Sequence, residues 1–151
     1  MESKTSVSPH KVDQENELMQ SEIERIFDAN LALMATNTEA WAELLAEDVI
    51  VDFPYAPSLG WPGRLHGRAA AYNHIKTSIP NMQNLTFSNV RKYQTTDPNV
   101  LWAELHGSAF APSTGQRYEQ DYVVKVVVKD GKVSHYSEYW NPIAMNALKK
   151  D

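Results

Sequence analysis

His74, Ser78 and Glu138 are the residues whose types and placing suit proton transfer. His74 and Ser78 stand one helical turn apart, and Ala70, Ala71, His74, Ile75 and Ser78 share one helix face. An imidazole with an unperturbed pKa of about 6.5 can give or take a proton near neutrality. Glu138 lies within Tyr136-Ser137-Glu138-Tyr139-Trp140, where Tyr136 and Trp140 flank it at alternate positions of a strand. A carboxyl between aromatic neighbours is partly desolvated, which raises its pKa and suits it to proton donation. Both residues also admit a plain structural reading. His74 can be a core histidine with one hydrogen bond, and Glu138 can stand in an outward-facing row; helix position and strand alternation do not choose.

Other groups are weaker candidates. Asp52, beside Phe53-Pro54-Tyr55, suits a base at a pocket mouth or an exposed strand carboxylate. Tyr55 and Trp61 lie on a loop rich in glycine and proline, where aromatic residues are unusual unless they cover something. With Trp102, Tyr136 and Trp140 they are the expected apolar walls for a ring-shaped substrate. Trp102, Glu104 and His106 share a strand face, with Glu104 and His106 readable as a surface pair. Asp121, Glu119 and Lys125 read as a solvated row, whereas Tyr118, Tyr122, Val124, Val126 and Val128 form an apolar row on the other face that suits an interface or the core equally. The sequence has no HExxH motif, phosphate loop, dinucleotide fingerprint or nucleophile elbow. Acid/base chemistry with no cofactor and no metal is what this inventory leaves.

Four groups of elements must position these residues. Apolar residues at Leu18, Ile23, Ile26, Phe27, Leu31 and Met34 predict one amphipathic helix from Asp13 to about Met34. Thr38 is the expected cap of a second helix, Glu39 to about Ala46. Val49 to Phe53 reads as a short strand ended by Pro54, then a loop to His66, then a third helix from Gly67 to Ser78. Strands follow at about 85–94, 101–111, 117–129 and 132–140, the last two joined by Asp130-Gly131, a strong hairpin signal. Helices first and a meander afterwards predict an α+β fold: a strongly curved antiparallel sheet with three helices packed on its concave side around a pocket.

Composition sets the outer bounds. The 151 residues suit one domain, expected over 13–151, with residues 1–12 a disordered arm rich in Ser and Thr. A net charge of −5, with fourteen scattered Lys and Arg, argues against a nucleic-acid partner. The chain has no cysteine, which excludes disulfides and thiolate chemistry and fits a cytoplasmic setting. No apolar run approaches the roughly 18–20 residues of a membrane span, and no secretory signal is recognisable.

The order of these segments carries a resemblance. Glu15-Asn16-Glu17-Leu18-Met19, the Gly67-to-Ser78 helix, Thr96-Asp97-Pro98-Asn99 followed by Trp102, the Asp130-Gly131-Lys132-Val133 hairpin and Glu138-Tyr139-Trp140-Asn141-Pro142 recur in register. On these the chain is identified as a member of the SnoaL-like, ketosteroid isomerase-like group, the superfamily of the nuclear transport factor cone. Within it the chain most resembles the phenazine-biosynthesis PhzA/PhzB family, over roughly residues 15–148. The resemblance implies a cone-shaped α+β barrel and a homodimer packed through the open face of the sheet. It also implies a working His and Ser on the third helix and a working Glu on the last strand, at His74, Ser78 and Glu138. The activity implied is amine–ketone condensation, or a related proton transfer, on a small cyclic ketone. The alternatives are a ketosteroid isomerase- or polyketide cyclase-like enzyme with Asp52 as base, and a non-catalytic binding module. One departure stands out. The phenazine family is arginine-rich between the first two helices, where this chain has Asn37-Thr38-Glu39-Ala40-Trp41. A guanidinium fork is hard to replace in binding a carboxylate. Arg64 and Arg68 are the nearest substitutes in sequence.

Overall fold

Asp130 and Gly131 both have positive φ (52° and 76°), the paired left-handed conformation that lets a two-residue turn match the twist of its strands. That turn joins the last two strands of a six-stranded sheet in a computed structural model that describes residues 20–149. Strands β3 (Gln83–Gln94), β4 (Val100–Ala111), β5 (Gln116–Lys129) and β6 (Lys132–Trp140) form the expected antiparallel meander. β1 (Leu45–Asp52) then lies beside β6, and β2 (Arg64–His66) completes the order β2-β1-β6-β5-β4-β3. The sheet is curved but open, with β2 and β3 as its edges, and it is not wholly antiparallel: β1 runs parallel to β6.

Two bulges bend β3, one between Gln83 and Thr86 and one between Ser88 and Arg91. Each contains an asparagine in the left-handed region, Asn84 at φ 56° and Asn89 at φ 52°, which asparagine tolerates better than most residues. A third bulge changes what β6 presents. Val127 pairs with His135 but Val128 pairs with Val133, so Ser134 is an extra residue. Val133 is therefore buried together with Tyr136 and Trp140, although plain alternation puts it on the opposite face.

The helices are α1 (Glu22–Leu33), α2 (Thr38–Ala42) and α3 (Arg68–Ser78). α1 starts later than its periodicity suggests because extended Ser21 caps it, its Oγ accepting from Glu24 N. The expected arm and the earlier part of that helix lie outside the described residues. Asn37, and not Thr38, caps α2: its Oδ1 accepts from Ala40 N at 3.1 Å, while Thr38 donates back to Met34 O. α2 stops at Ala42 because the chain from Leu45 is taken up by pairing with β6, where Val133 N donates to Leu44 O. That pairing overrides local helix propensity.

The core lies between the helices and the inner sheet face, with Phe27, Leu45, Val49, Leu101 and Val124 fully buried. The apolar row of β5, Tyr118, Tyr122, Val124, Val126 and Val128, belongs to this core. It is therefore not the dimer surface for which it was a sequence candidate. Glu119, Asp121 and Val123 face outward. The inward row of β4 includes the small residues Ala103, Gly107 and Ala109, and Gly107 leaves room for Tyr122 of the next strand. No helix among the described residues is long and apolar enough to cross a membrane.

Candidate active site

A cavity of about 380 Å³ opens between the inner sheet face, α1, α3 and the loop after β1. That lies in the lower part of the usual range for small-molecule sites, roughly 300–1,000 Å³. Its lining is mostly apolar: Leu31 from α1 and Met34 at its C-terminal end, Phe53 and Trp61 from the loop, Leu105 from β4, and Tyr136 and Trp140 from β6. His74, Ser78 and Glu138 all line it. The three residues expected to work together are thus brought to one space.

Glu138 is inward because the bulge at Ser134 sets the phase of β6. It stands opposite Val124, with Tyr122 diagonal to it on the same face. Its carboxyl makes no hydrogen bond to any described residue, and burial alone raises its pKa from the ordinary 4.5 to about 7. Near neutrality a large fraction therefore carries a proton it can donate.

His74 sits across the cavity on α3. Its ring packs on Phe53, centroids 5.0 Å apart and planes tilted by 38°. The residue remains exposed by area because it faces the open space, yet the protein around the ring lowers its pKa by desolvation. It is neutral at pH 7 and able to accept a proton. No hydrogen bond joins it to Glu138, so the two act on each other only through something placed between them. Ser78 is in the cavity wall, but its Oγ donates to the His74 backbone carbonyl at 2.6 Å. It braces the helix turn that carries His74 and leaves the imidazole free.

Two groups were not singled out as site residues from the sequence. The Tyr118 and Tyr122 hydroxyls lie 2.6 Å apart and both rings line the cavity. Burial raises both pKa values, so both remain neutral phenols. Their i, i+4 spacing on one strand face was visible, but that row fitted core and interface equally. The second group is the segment after β6. Met145 and Leu148, in a short 3₁₀ turn (Ala144–Leu148), close the cavity from the C-terminal side. Thr114 Oγ1 holds that turn by donating to Ala147 O at 2.5 Å.

Three sequence candidates lie elsewhere. Asp52 is on the outer sheet face, where Arg64 binds it at 2.6 and 3.1 Å and His135 Nε2 lies 2.6 Å from Oδ2. The Arg64 hydrogen bond is the main cause that holds its pKa below the usual value. It is a paired anion outside the cavity, which removes it as the free base of the alternative reading. Tyr55 and Trp102 are also outside: both pack against Tyr139, with centroids 5.9 and 6.2 Å away. Of the five expected wall residues, Trp61, Tyr136 and Trp140 line the cavity, and Trp61 meets Trp140 edge-on at 6.4 Å. His106 bonds Glu119 and Asp121 at 2.6 and 2.9 Å, and Glu104 pairs with Arg91, so the expected Glu104–His106 pair does not form. No cluster able to hold a metal occurs among the described residues.

Comparison with known proteins agrees with this geometry. The SnoaL-like domain model matches residues 23–136. An uncharacterised PhzA/B-like protein of Pseudomonas aeruginosa is 32% identical over 107 residues, covering 71% of this chain and 74% of that protein. A solved structure from Bacillus subtilis, named provisionally as an isomerase, superposes with a TM-score of 0.76 at 32% identity. That match covers 85% of this chain and 96% of the other. A phenazine biosynthesis-related protein of Pseudomonas aeruginosa shares the fold, with a TM-score of 0.67 at 21% identity over 84% of this chain and 88% of its own. The cone architecture, the helix order and the matched segment agree: this chain belongs to the SnoaL-like domain family and is related to the PhzA/PhzB proteins.

Proposed function

We propose that this chain is a cofactor-independent acid/base enzyme of small-molecule secondary metabolism. It would promote amine–ketone condensation, or a related proton transfer, on a cyclic ketone. The family and its relatives support a small-molecule isomerase- or cyclase-type role, and the choice of condensation rests on the PhzA/PhzB relationship. The observation that carries the proposal is the unbonded Glu138 carboxyl, with a pKa raised to about 7, sharing a cavity with a neutral His74. Environments that raise an acid and lower a base are how one site supplies both at the same pH.

In this reading the amine nitrogen adds to the carbonyl carbon while Glu138 protonates the oxygen. His74 removes the extra proton from nitrogen. The His74 imidazolium then protonates the resulting hydroxyl so that water leaves, and the Glu138 carboxylate takes the remaining proton from nitrogen, which yields the imine and restores both groups. Each positioned group contributes about 10²–10⁴-fold. The same pair also suits isomerisation, with His74 taking a proton beside the carbonyl and Glu138 protonating its oxygen. Product masses separate the two: condensation joins two molecules with loss of water, and isomerisation conserves mass.

The test is turnover of a panel of cyclic ketones, with and without amines, followed by mass spectrometry in wild type, Glu138→Gln and His74→Ala. Loss of product in both variants, with cooperative unfolding retained, is expected. Unchanged turnover in Glu138→Gln would overturn the acid assignment. We further propose a homodimer through the outer sheet face, supported by the exposed Tyr93 and Val123 there; light scattering on the purified chain measures it directly.

A further inference from the structure

All five arginines of the chain are engaged away from the cavity. Arg64 is on Asp52, Arg91 on Glu104, and Arg117 on Glu119. Arg25 donates to Gln20 O, and both Arg68 donors go to Leu45 O, at 3.0 and 2.6 Å. The two arginines nearest in sequence to the missing family guanidinium are thus structural. The described lysines do not replace them. Lys76 is on Glu39, Lys92 on Asp28, and Lys132 on Glu43 O. Lys149 stands over Trp61, with Nζ 5.7 Å from the ring centre, and Lys125 over Trp102 on the outer face. Among the described residues no arginine or lysine lines the cavity.

We infer that the cavity selects uncharged ring ketones and rejects ring carboxylates, because among the described residues its acid/base side chains are a carboxyl without a cation and an imidazole packed on Phe53. The inference rests on the proposed function in taking Glu138 and His74 as the groups that meet the substrate. A carboxylate drawn into this space would lose its water with no guanidinium to replace it. It would also share an apolar site with Glu138, and two carboxylates in one such site cannot both stay ionised cheaply. A ketone meets neither obstacle: its oxygen accepts from protonated Glu138 or a tyrosine hydroxyl, and its ring lies against Trp61, Tyr136 and Trp140. The substrate class therefore departs from the acids that an arginine-equipped site would hold.

The experiment uses three probes of one shape: a tetralone, the same tetralone with a ring carboxylate, and the methyl ester of that acid. Binding is read at pH 7.5 by quenching of tryptophan fluorescence, since Trp61 and Trp140 line the cavity, and by calorimetry. The ketone and its ester should bind within about tenfold of each other. The acid should bind at least about 100-fold more weakly, since its carboxylate would lose its water with no cation to replace it. Glu138→Gln should narrow that gap only by the few-fold cost of keeping Glu138 protonated beside the acid. An acid that binds as tightly as its ester overturns the inference, as does failure of both neutral probes to bind at 1 mM. Because the readout is binding, it is separable from the turnover test. Reversed charge preference with His74→Ala and Glu138→Gln still inactive would sink this inference and leave the acid/base assignment standing.

Discussion

Gln120 grips the backbone of Asn141 from both sides: its Nε2 donates to Asn141 O at 3.0 Å, and its Oε1 accepts from Asn141 N at 2.8 Å. The side chain is almost wholly buried within the aromatic row of β5. This clamp fixes where the chain leaves β6 and hence where Met145 and Leu148 meet the cavity. Gln120→Leu would strand two backbone groups and should cost about 1–3 kcal/mol of stability. Chemical denaturation measures that loss. Ligand affinity should fall as well, since the C-terminal wall would no longer be held.

Glu138 should make the protein less stable as pH rises. Its folded pKa is about 7, against an ordinary value of 4.5, so the native state holds a proton that the unfolded chain has already released. Stability is unaffected below the unfolded pKa, then declines between about pH 4.5 and pH 7. The loss is at most about 3.5 kcal/mol, at about 1.4 kcal/mol per pKa unit. Glu138→Gln removes the group, so this variant should be more stable than wild type at pH 8 and lose that advantage by pH 4.5. Paired melting curves at the two pH values decide it. A variant destabilised equally at both would show that the carboxyl is not desolvated.

The rate profile should be bell-shaped and narrow. Protonation of His74, whose pKa is lowered from 6.5, forms the acid limb, and ionisation of Glu138 near pH 7 forms the alkaline limb. With the acid's pKa at or above the base's, both groups are largely in their working forms between the two limbs. A profile of kcat/KM that is flat from pH 5 to 9 would be incompatible with this pair.

Gly107 is small because Tyr122 lies against it. A Cβ there would stand 2.8 Å from Tyr122 Cε2, closer than packed atoms approach. Gly107→Ala should push the ring into the cavity and cost about 1–3 kcal/mol. It should also reduce ligand affinity, a combination that calorimetry and thermal melts can read on one sample.

Asp52→Asn separates structure from chemistry. The carboxylate is mostly buried between Arg64 and His135, and its lowered pKa means it stabilises the fold above its ordinary pKa of 3.8 and loses that contribution as pH falls. The asparagine variant should lose about 1–2 kcal/mol at pH 7, in keeping with charged hydrogen bonds near the surface. Its turnover should match wild type. A collapse of turnover with the fold intact would return Asp52 to the list of bases.

The meander and the third helix were legible because alternation, the Asp130-Gly131 turn and the His74 face are local signals. Features that depend on distant partners were not. The parallel pairing of β1 with β6 joins segments more than eighty residues apart, and it is what truncates α2. Tyr55 and Trp102 share the composition of pocket aromatics, but their direction is set by the sheet face and by Tyr139. The tyrosine pair was legible as a buried row, while its hydroxyl contact depends on the room Gly107 leaves on the neighbouring strand.

The extra residue at Ser134 gives the last strand a counting frame. Upstream of it, Val133 faces the core; downstream, Tyr136, Glu138 and Trp140 do. Without Ser134 the strand would alternate plainly from Val133, and Tyr136, Glu138 and Trp140 would still face inward. The bulge thus absorbs one residue of length between the hairpin turn and the site. The phase is unforgiving further along: removing Ser137 would turn Glu138 and Trp140 to the outer face. Loss of one residue should be tolerated at the bulge and be ruinous at Ser137.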